Sequence, residues 1–164
     1  MSTTPLNVLF VCTHNSARSI LAEGLLNGLG GGRFRGYSAG SQPRTAPNPL
    51  AIETLARLGM PAEGYRSKDW NEFAQPGAPH LDFIFTVCDN AAGEACPVWP
   101  GHPATAHWGV ADPSAVQGTT DEQRKAFFDT AMILKRRIEL LLALPLATLE
   151  RQAVQAAVRD IGRS

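Results

Sequence analysis

Asn7-Val8-Leu9-Phe10-Val11-Cys12-Thr13-His14-Asn15-Ser16-Ala17-Arg18-Ser19 is an apolar run ending in a thiol, followed by five residues, an arginine and a serine. The run reads as a buried β-strand that delivers Cys12 into a loop. From Ser16 onward, Ala17, Ile20, Leu21 and Leu25 repeat at helical spacing, so the loop sits at a helix N-terminus. Backbone N–H groups of Thr13, His14, Asn15, Ser16 and Ala17 can converge there on a tetrahedral oxyanion, while the Arg18 guanidinium forks onto two of its oxygens. The partial positive charge at the helix start favours the same anion. It also stabilises a Cys12 thiolate. With Arg18 close and the Ser19 hydroxyl able to donate, Cys12 should ionise below the ordinary thiol value of about 8.5. Most cysteines at a strand end are structural. Arginine and serine at these offsets, however, serve no packing need, which favours a nucleophile under an anion cradle.

Outward from that stretch, apolar runs alternate with helical patterns. Gly30-Gly31-Gly32 breaks the first helix, a short strand is expected through Phe34 to Ser38, and Ala39-Gly40-Ser41 reads as a turn. A helix is expected from Pro49 to Leu58, stopped by Gly59. Asp82-Phe83-Ile84-Phe85-Thr86-Val87-Cys88 is a continuous apolar strand of the kind buried on both faces of a parallel sheet. It too ends in cysteine. Asp89 to Pro103 is rich in small residues and proline and reads as a long loop of functional type. Thr105-Ala106-His107-Trp108 suits a fourth strand. Thr119 or Thr120 can cap a helix from Asp121 to about Leu144, Pro145 interrupts it, and Ala147 to Ile161 forms a last amphipathic helix. Strands separated by helices imply parallel βαβ crossovers, with ligands at the carboxyl ends of the strands. Cys12 and Cys88 both lie at such ends.

The chain of 164 residues has the size of one domain, and 44% hydrophobic residues suffice for a core. One domain over 1–164 is therefore expected. Fifteen Lys and Arg balance fifteen Asp and Glu, so no net field draws nucleic acid or anionic lipid, and anion recognition must be local. No apolar stretch nears the roughly 18 residues of a membrane span, and Met1-Ser2-Thr3-Thr4-Pro5 lacks the character of a signal sequence, so a cytoplasmic protein is expected. Three cysteines fit thiol chemistry better than a disulfide scaffold, and no CxxC or HxxxH spacing points to a metal. Trp99 and Trp108 read as packing. His80, His102 and His107 read as structural or solvent-facing, and His14 as pointing away from the loop.

The stretch from Val8 to Ser19, followed by Ala22-Glu23-Gly24, resembles the low-molecular-weight protein tyrosine phosphatase superfamily, including the arsenate reductases built on that fold. The resemblance implies an α/β three-layer sandwich around a four-stranded parallel sheet in the order 2-1-3-4. Asp112-Pro113 matches the family's acid-bearing loop, with proline stiffening the approach of the aspartate. Thr86 to Pro97, with Cys88 and Cys96 separated by seven residues, then His107-Trp108-Gly109 and Asp112-Pro113, resembles the reductase branch. Ser114-Ala115 stand where the tyrosine phosphatases of the family carry two aromatics.

Two outcomes share this machinery. Water attacking the Cys12 adduct makes a phosphatase; a second thiol attacking the Cys12 sulfur passes two electrons to the bound element. By resemblance, Cys12 is the nucleophile, Cys88 the first resolving thiol and Cys96 the second, with Arg18 and Ser19 serving the loop and Asp112 the leaving oxygen. The expectation is arsenate reduction without an organic cofactor, with thioredoxin or glutaredoxin and glutathione as electron donor. A phosphomonoesterase using Cys12, Arg18 and Asp112 is the alternative. Some reductases of this type bind potassium behind the loop, and the resemblance places such a site at Asn15, Glu23, Ser38, Ser67 and Asp69, whose hard oxygens suit the ion. Asn15 is also expected to brace the loop through its side chain.

Overall fold

The structure, a computed structural model, describes residues 5–87, 103–146 and 150–163. Strand β1 (Leu6–Cys12) lies at the centre, flanked by β2 (Phe34–Gly40) and β3 (Phe83–Thr86), with β4 (Ala104–His107) outermost. All neighbours are parallel and the order is β2-β1-β3-β4. The helices are α1 (Arg18–Leu29), α2 (Pro49–Arg57), α3 (Thr120–Leu142) and α4 (Arg151–Ile161). Two 3₁₀ turns, Trp70–Ala74 and Pro113–Ala115, complete the described elements.

Sheet register explains the two-sided burial of the middle strands. Val8 and Phe10 share a face with Phe83 and Phe85, and this face receives α1: an added Cβ on Gly36 would stand 3.1 Å from the Glu23 carbonyl. Helices α2 and α3 pack on α1, and α4 runs along β4. On the other face Tyr37 meets Phe73 of the first 3₁₀ turn edge-on at 5.6 Å. The result is the three-layer arrangement expected for the family. Edge strand β4 is closed by a side chain, since the Gln155 amide accepts from the Thr105 N–H at 3.0 Å and donates to its carbonyl at 2.6 Å. An open edge is thereby withheld from other strands.

Most boundaries follow the sequence reading, and two do not. The expected turn at Ala39-Gly40-Ser41 is instead the end of β2, where Ala39 and Gly40 pair with Val11 and Cys12. Glycine was read there as a turn former; it is present because a Cβ would meet the Thr13 and Cys12 carbonyls at 2.5 and 2.7 Å. The final helix is described from Arg151, after an extended Glu150, while residues 147–149 of the expected span lie outside the described residues. The third strand closes at Thr86, before Cys88. Gly59 does stop α2, in left-handed geometry at φ 74°. Of the two candidate caps for α3, Thr119 fills the role, in a reciprocal capping box with Glu122.

Trp108 joins sheet, α3 and α4. Its ring stacks on Phe85 at 3.9 Å, its Nε1 donates to the Val158 carbonyl at 2.9 Å, and its own carbonyl accepts from Arg137 at 2.8 Å. It is fully buried. Trp108→Ala should therefore lose about 3 to 5 kcal/mol of stability in a denaturant titration. A loss below about 1 kcal/mol would show that the ring is not a keystone.

Candidate active site

Cys12 ends β1 with its side chain 3% exposed, and the chain turns through residues 13–17 into the first turn of α1. The carbonyls of this loop all face away from a common centre. Thr13 accepts from the Gln42 N–H (2.8 Å), His14 from Arg44 (2.9 Å), Asn15 from the Ser67 hydroxyl (2.7 Å) and Ser16 from Asn48 (2.8 Å). Among the described residues, no acceptor takes the N–H groups of His14, Asn15, Ser16, Ala17 or Arg18. A peptide chain whose oxygens are drawn outward presents donors inward, which is what an anion cradle requires. The His14 ring turns to the Gln42 carbonyl (3.1 Å), outside the loop.

The turn depends on Asn15, which is fully buried and sits in left-handed geometry at φ 47°. Asparagine tolerates that conformation better than most residues. Its side chain fixes the direction of two hydrogen bonds. The Lys68 backbone N–H can only donate, so the atom it meets at 2.9 Å is the Asn15 amide oxygen. The other end is thus the NH₂, which donates to the Ser19 hydroxyl at 2.8 Å. The Ser19 hydroxyl lies 3.0 Å from Cys12 Sγ, and toward a thiolate, which has no hydrogen to give, it is the donor. A proton-directed series runs from the Lys68 amide to the sulfur, and its last member stabilises a thiolate.

Arg18 starts α1 and joins the loop to the segment after β4. Its Nη1 donates to the Val110 carbonyl at 3.1 Å and its Nη2 lies 3.6 Å from the Asp112 carboxylate. Asp112 caps the Pro113–Ala115 turn, accepting from the Ser114 N–H at 2.9 Å and its hydroxyl at 2.6 Å. This segment is steadied from beneath by Arg137, buried on α3, whose Nη1 donates to Trp108 and Gly109 carbonyls at 2.8 and 3.1 Å. Burial pulls the Arg137 pKa below the usual arginine value. The sequence reading did not single out Arg137. Its signal was available: a cation among Thr130, Ala131, Leu134, Ile138 and Leu141, all on the buried face of α3.

The five oxygens considered for potassium are not gathered into a cage. Asn15 gives one oxygen to Ser67 and the other to Lys68, and Asp69 caps the Trp70–Ala74 turn by accepting from the Asn71 N–H at 2.7 Å. Glu23 accepts from the Ser38 hydroxyl, and the cation beside it is the Lys68 ammonium, 4.0 Å from Glu23 Oε1 and 3.5 Å from Ser38 Oγ. The donor set therefore does not fit a bound ion. Burial raises the Glu23 pKa and lowers that of Lys68, and the attraction between them opposes both shifts. The nearby Tyr65 phenol is pushed up to about 12, by burial and then by Glu23. Cys88, Cys96, Trp99 and His102 lie outside the described residues.

Cys12 thus sits at the head of loop 13–17 with the Ser19 hydroxyl on its sulfur, and Arg18, next in the chain, reaches Asp112. Ser19→Ala removes the donor aimed at sulfur, and a hydrogen bond to a charged group is worth about 1.5 to 3 kcal/mol. Alkylation of Cys12 at pH 6, followed by peptide mass mapping, should slow about tenfold or more in this variant. An unchanged rate would mean that the Ser19 hydroxyl does not serve the thiolate.

Comparison with known proteins agrees with this geometry. The model of the low molecular weight phosphotyrosine protein phosphatase family matches residues 7–156. An arsenate reductase of Bacillus licheniformis is 34% identical over 122 residues, covering 74% of this chain and 83% of the relative. One of Bacillus subtilis is 35% identical over 121 residues, with the same coverage, 74% and 83%. The solved structure of an arsenate reductase in the phosphate binding state superposes with TM-score 0.68 at 27% identity, covering 84% of this chain and 97% of that one. With an outward-turned loop under a helix start, a thiol at its floor and these relatives, the chain belongs to the low molecular weight phosphotyrosine protein phosphatase family, on the side of it occupied by arsenate reductases.

Proposed function

We propose that this protein reduces arsenate to arsenite with Cys12 as nucleophile. The observation that carries the reading is the meeting at Cys12 of an inward-facing donor loop, the Ser19 hydroxyl, and an arginine linked to Asp112. The loop amides and Arg18 hold the oxyanion, and the Cys12 thiolate attacks arsenic. A sulfur–arsenic bond forms, an arsenic–oxygen bond breaks, and Asp112 gives the leaving oxygen its proton. A second thiolate then attacks the Cys12 sulfur. The electron pair of the sulfur–arsenic bond stays on arsenic, which departs as arsenite, and a disulfide remains.

Cys88 is the proposed second thiol, since β3, which precedes it in the chain, runs parallel to β1, and Val87, one residue before it, donates to the Val11 carbonyl at 2.9 Å. Cys96 would take the oxidation onward, and an external thiol system, thioredoxin or glutaredoxin with glutathione, would return the two electrons. Residues 1–164 would act as one cytoplasmic domain. Among the described residues no helix is long and apolar enough to cross a membrane. Phosphate ester hydrolysis would use the same first step, but the relatives reported above are arsenate reductases, and this favours reduction.

A single arsenate turnover followed by mass spectrometry of the linked peptides tests the scheme. The expected product is a disulfide joining Cys12 to Cys88, or Cys88 to Cys96. Three unjoined thiols with arsenite released would remove the cysteine cascade. Asp112→Asn should lower kcat about 10²- to 10⁴-fold with little change in KM, as for loss of a general acid. Equal turnover by Asp112→Asn would assign the proton to another group.

A further inference from the structure

We propose that the Lys68 ammonium is a built-in monovalent cation that braces the anion loop from behind and takes the place of any bound alkali ion. It rests on Cys12 being the reactive thiol, and it adds a positioning residue remote from the sulfur. Lys68 ties together the three segments that set the loop. Its Nζ donates to the Arg66 carbonyl at 2.9 Å and lies 3.5 Å from Ser38 Oγ on β2 and 4.0 Å from Glu23 Oε1 on α1. Its backbone N–H holds the Asn15 amide oxygen, and its carbonyl accepts from the Gly40 N–H at 2.9 Å. The lysine side chain is 9% exposed and the Glu23 side chain 15%.

The electrostatic need comes from Glu23. It stands four residues after Ser19 on α1, so its carboxylate lies one turn behind the hydroxyl that touches Cys12. A largely buried negative charge there, left alone, would oppose both the thiolate and the oxyanion at the front of the loop. The Ser38 hydroxyl satisfies one carboxylate oxygen but brings no charge. Lys68 brings it. The other charged or titratable groups facing the pair are Arg66, Glu72 and Tyr65. Arg66 and Glu72 neutralise each other at 2.6 Å on the surface, and the Tyr65 hydroxyl is spent on the Pro61 carbonyl at 2.6 Å. Lys68 is thus the cation committed to Glu23 among the described residues. Because it is covalently attached, its local concentration does not depend on the salt present.

The test is the rate of Cys12 alkylation by iodoacetamide at pH 6.5, in potassium chloride and in choline chloride of equal ionic strength. The wild-type rate is expected to be the same in both. Lys68→Ala should react about tenfold more slowly in choline chloride and recover in potassium or ammonium chloride, whose ions fit the space vacated. Lys68→Met, which fills that space with an apolar stem, should be slow in every salt. Potassium acceleration of the wild type, a full-rate Lys68→Ala in choline chloride, or a slow Lys68→Ala that neither cation restores would overturn the proposal. Should Lys68→Ala fail to fold, a wild-type rate in Lys68→Met would do the same. The absolute wild-type rate bears on Cys12 as nucleophile; the ratios between variants and salts bear on the brace.

Discussion

A buried sulfur that must carry negative charge needs hydrogen-bond donors on every side that water cannot reach, and the rest of this structure follows from that requirement. The loop after β1 meets it by giving its oxygens away. Gln42, Arg44, Asn48 and Ser67, all on the segments that follow β2 and α2, hold the loop carbonyls outward and so aim its amides inward. Asn15 converts this pull into a defined direction at the sulfur. Its oxygen is committed to a backbone donor and its nitrogen to Ser19, which holds the Ser19 hydroxyl against Cys12 Sγ, where it donates to a thiolate. Rigidity comes from packing on a sheet whose central strand is buried on both faces.

The second half of the site is built around the same sheet by a different route. After β4 the chain passes Trp108, locked between Phe85 and α4, and Arg137 holds the next carbonyls from below. That fixes Val110 and Asp112 within reach of Arg18. Arg18 is therefore shared: it stands at the start of the helix that points at the anion, and it touches the segment that would supply the proton. A buried arginine spent on backbone carbonyls is costly unless its donors are used. Here they tie a functional loop to a core helix.

Much of this was legible in the sequence because local patterns carried it. The apolar run to Cys12, the helical spacing after Arg18 and the Asp112-Pro113 pair each sit where the reading placed them, and the sheet order follows the family resemblance. Gly40 was misread because a glycine demanded by a close backbone approach looks the same as one demanded by a turn. The potassium candidates were misread for a related reason. Oxygen-bearing residues can be counted in a sequence, but whether a neighbouring N–H or the Lys68 ammonium already holds them depends on long-range geometry. Arg137 and Lys68 act through contacts to residues 28 to 53 positions away, and no local pattern reports such distances.

A donor-lined thiol joined to an arginine and an aspartate makes the chemistry of oxyanion capture, and the family relation gives that chemistry its direction toward arsenic. The account stands or falls on the state of one sulfur. Its most direct test is the rate at which iodoacetate modifies Cys12 in the wild-type protein at pH 6, compared with a short cysteine peptide, with and without phosphate. The account expects Cys12 to react far faster than the peptide and to be protected by phosphate held in the loop. Equal rates for protein and peptide, unaffected by phosphate, would contradict it.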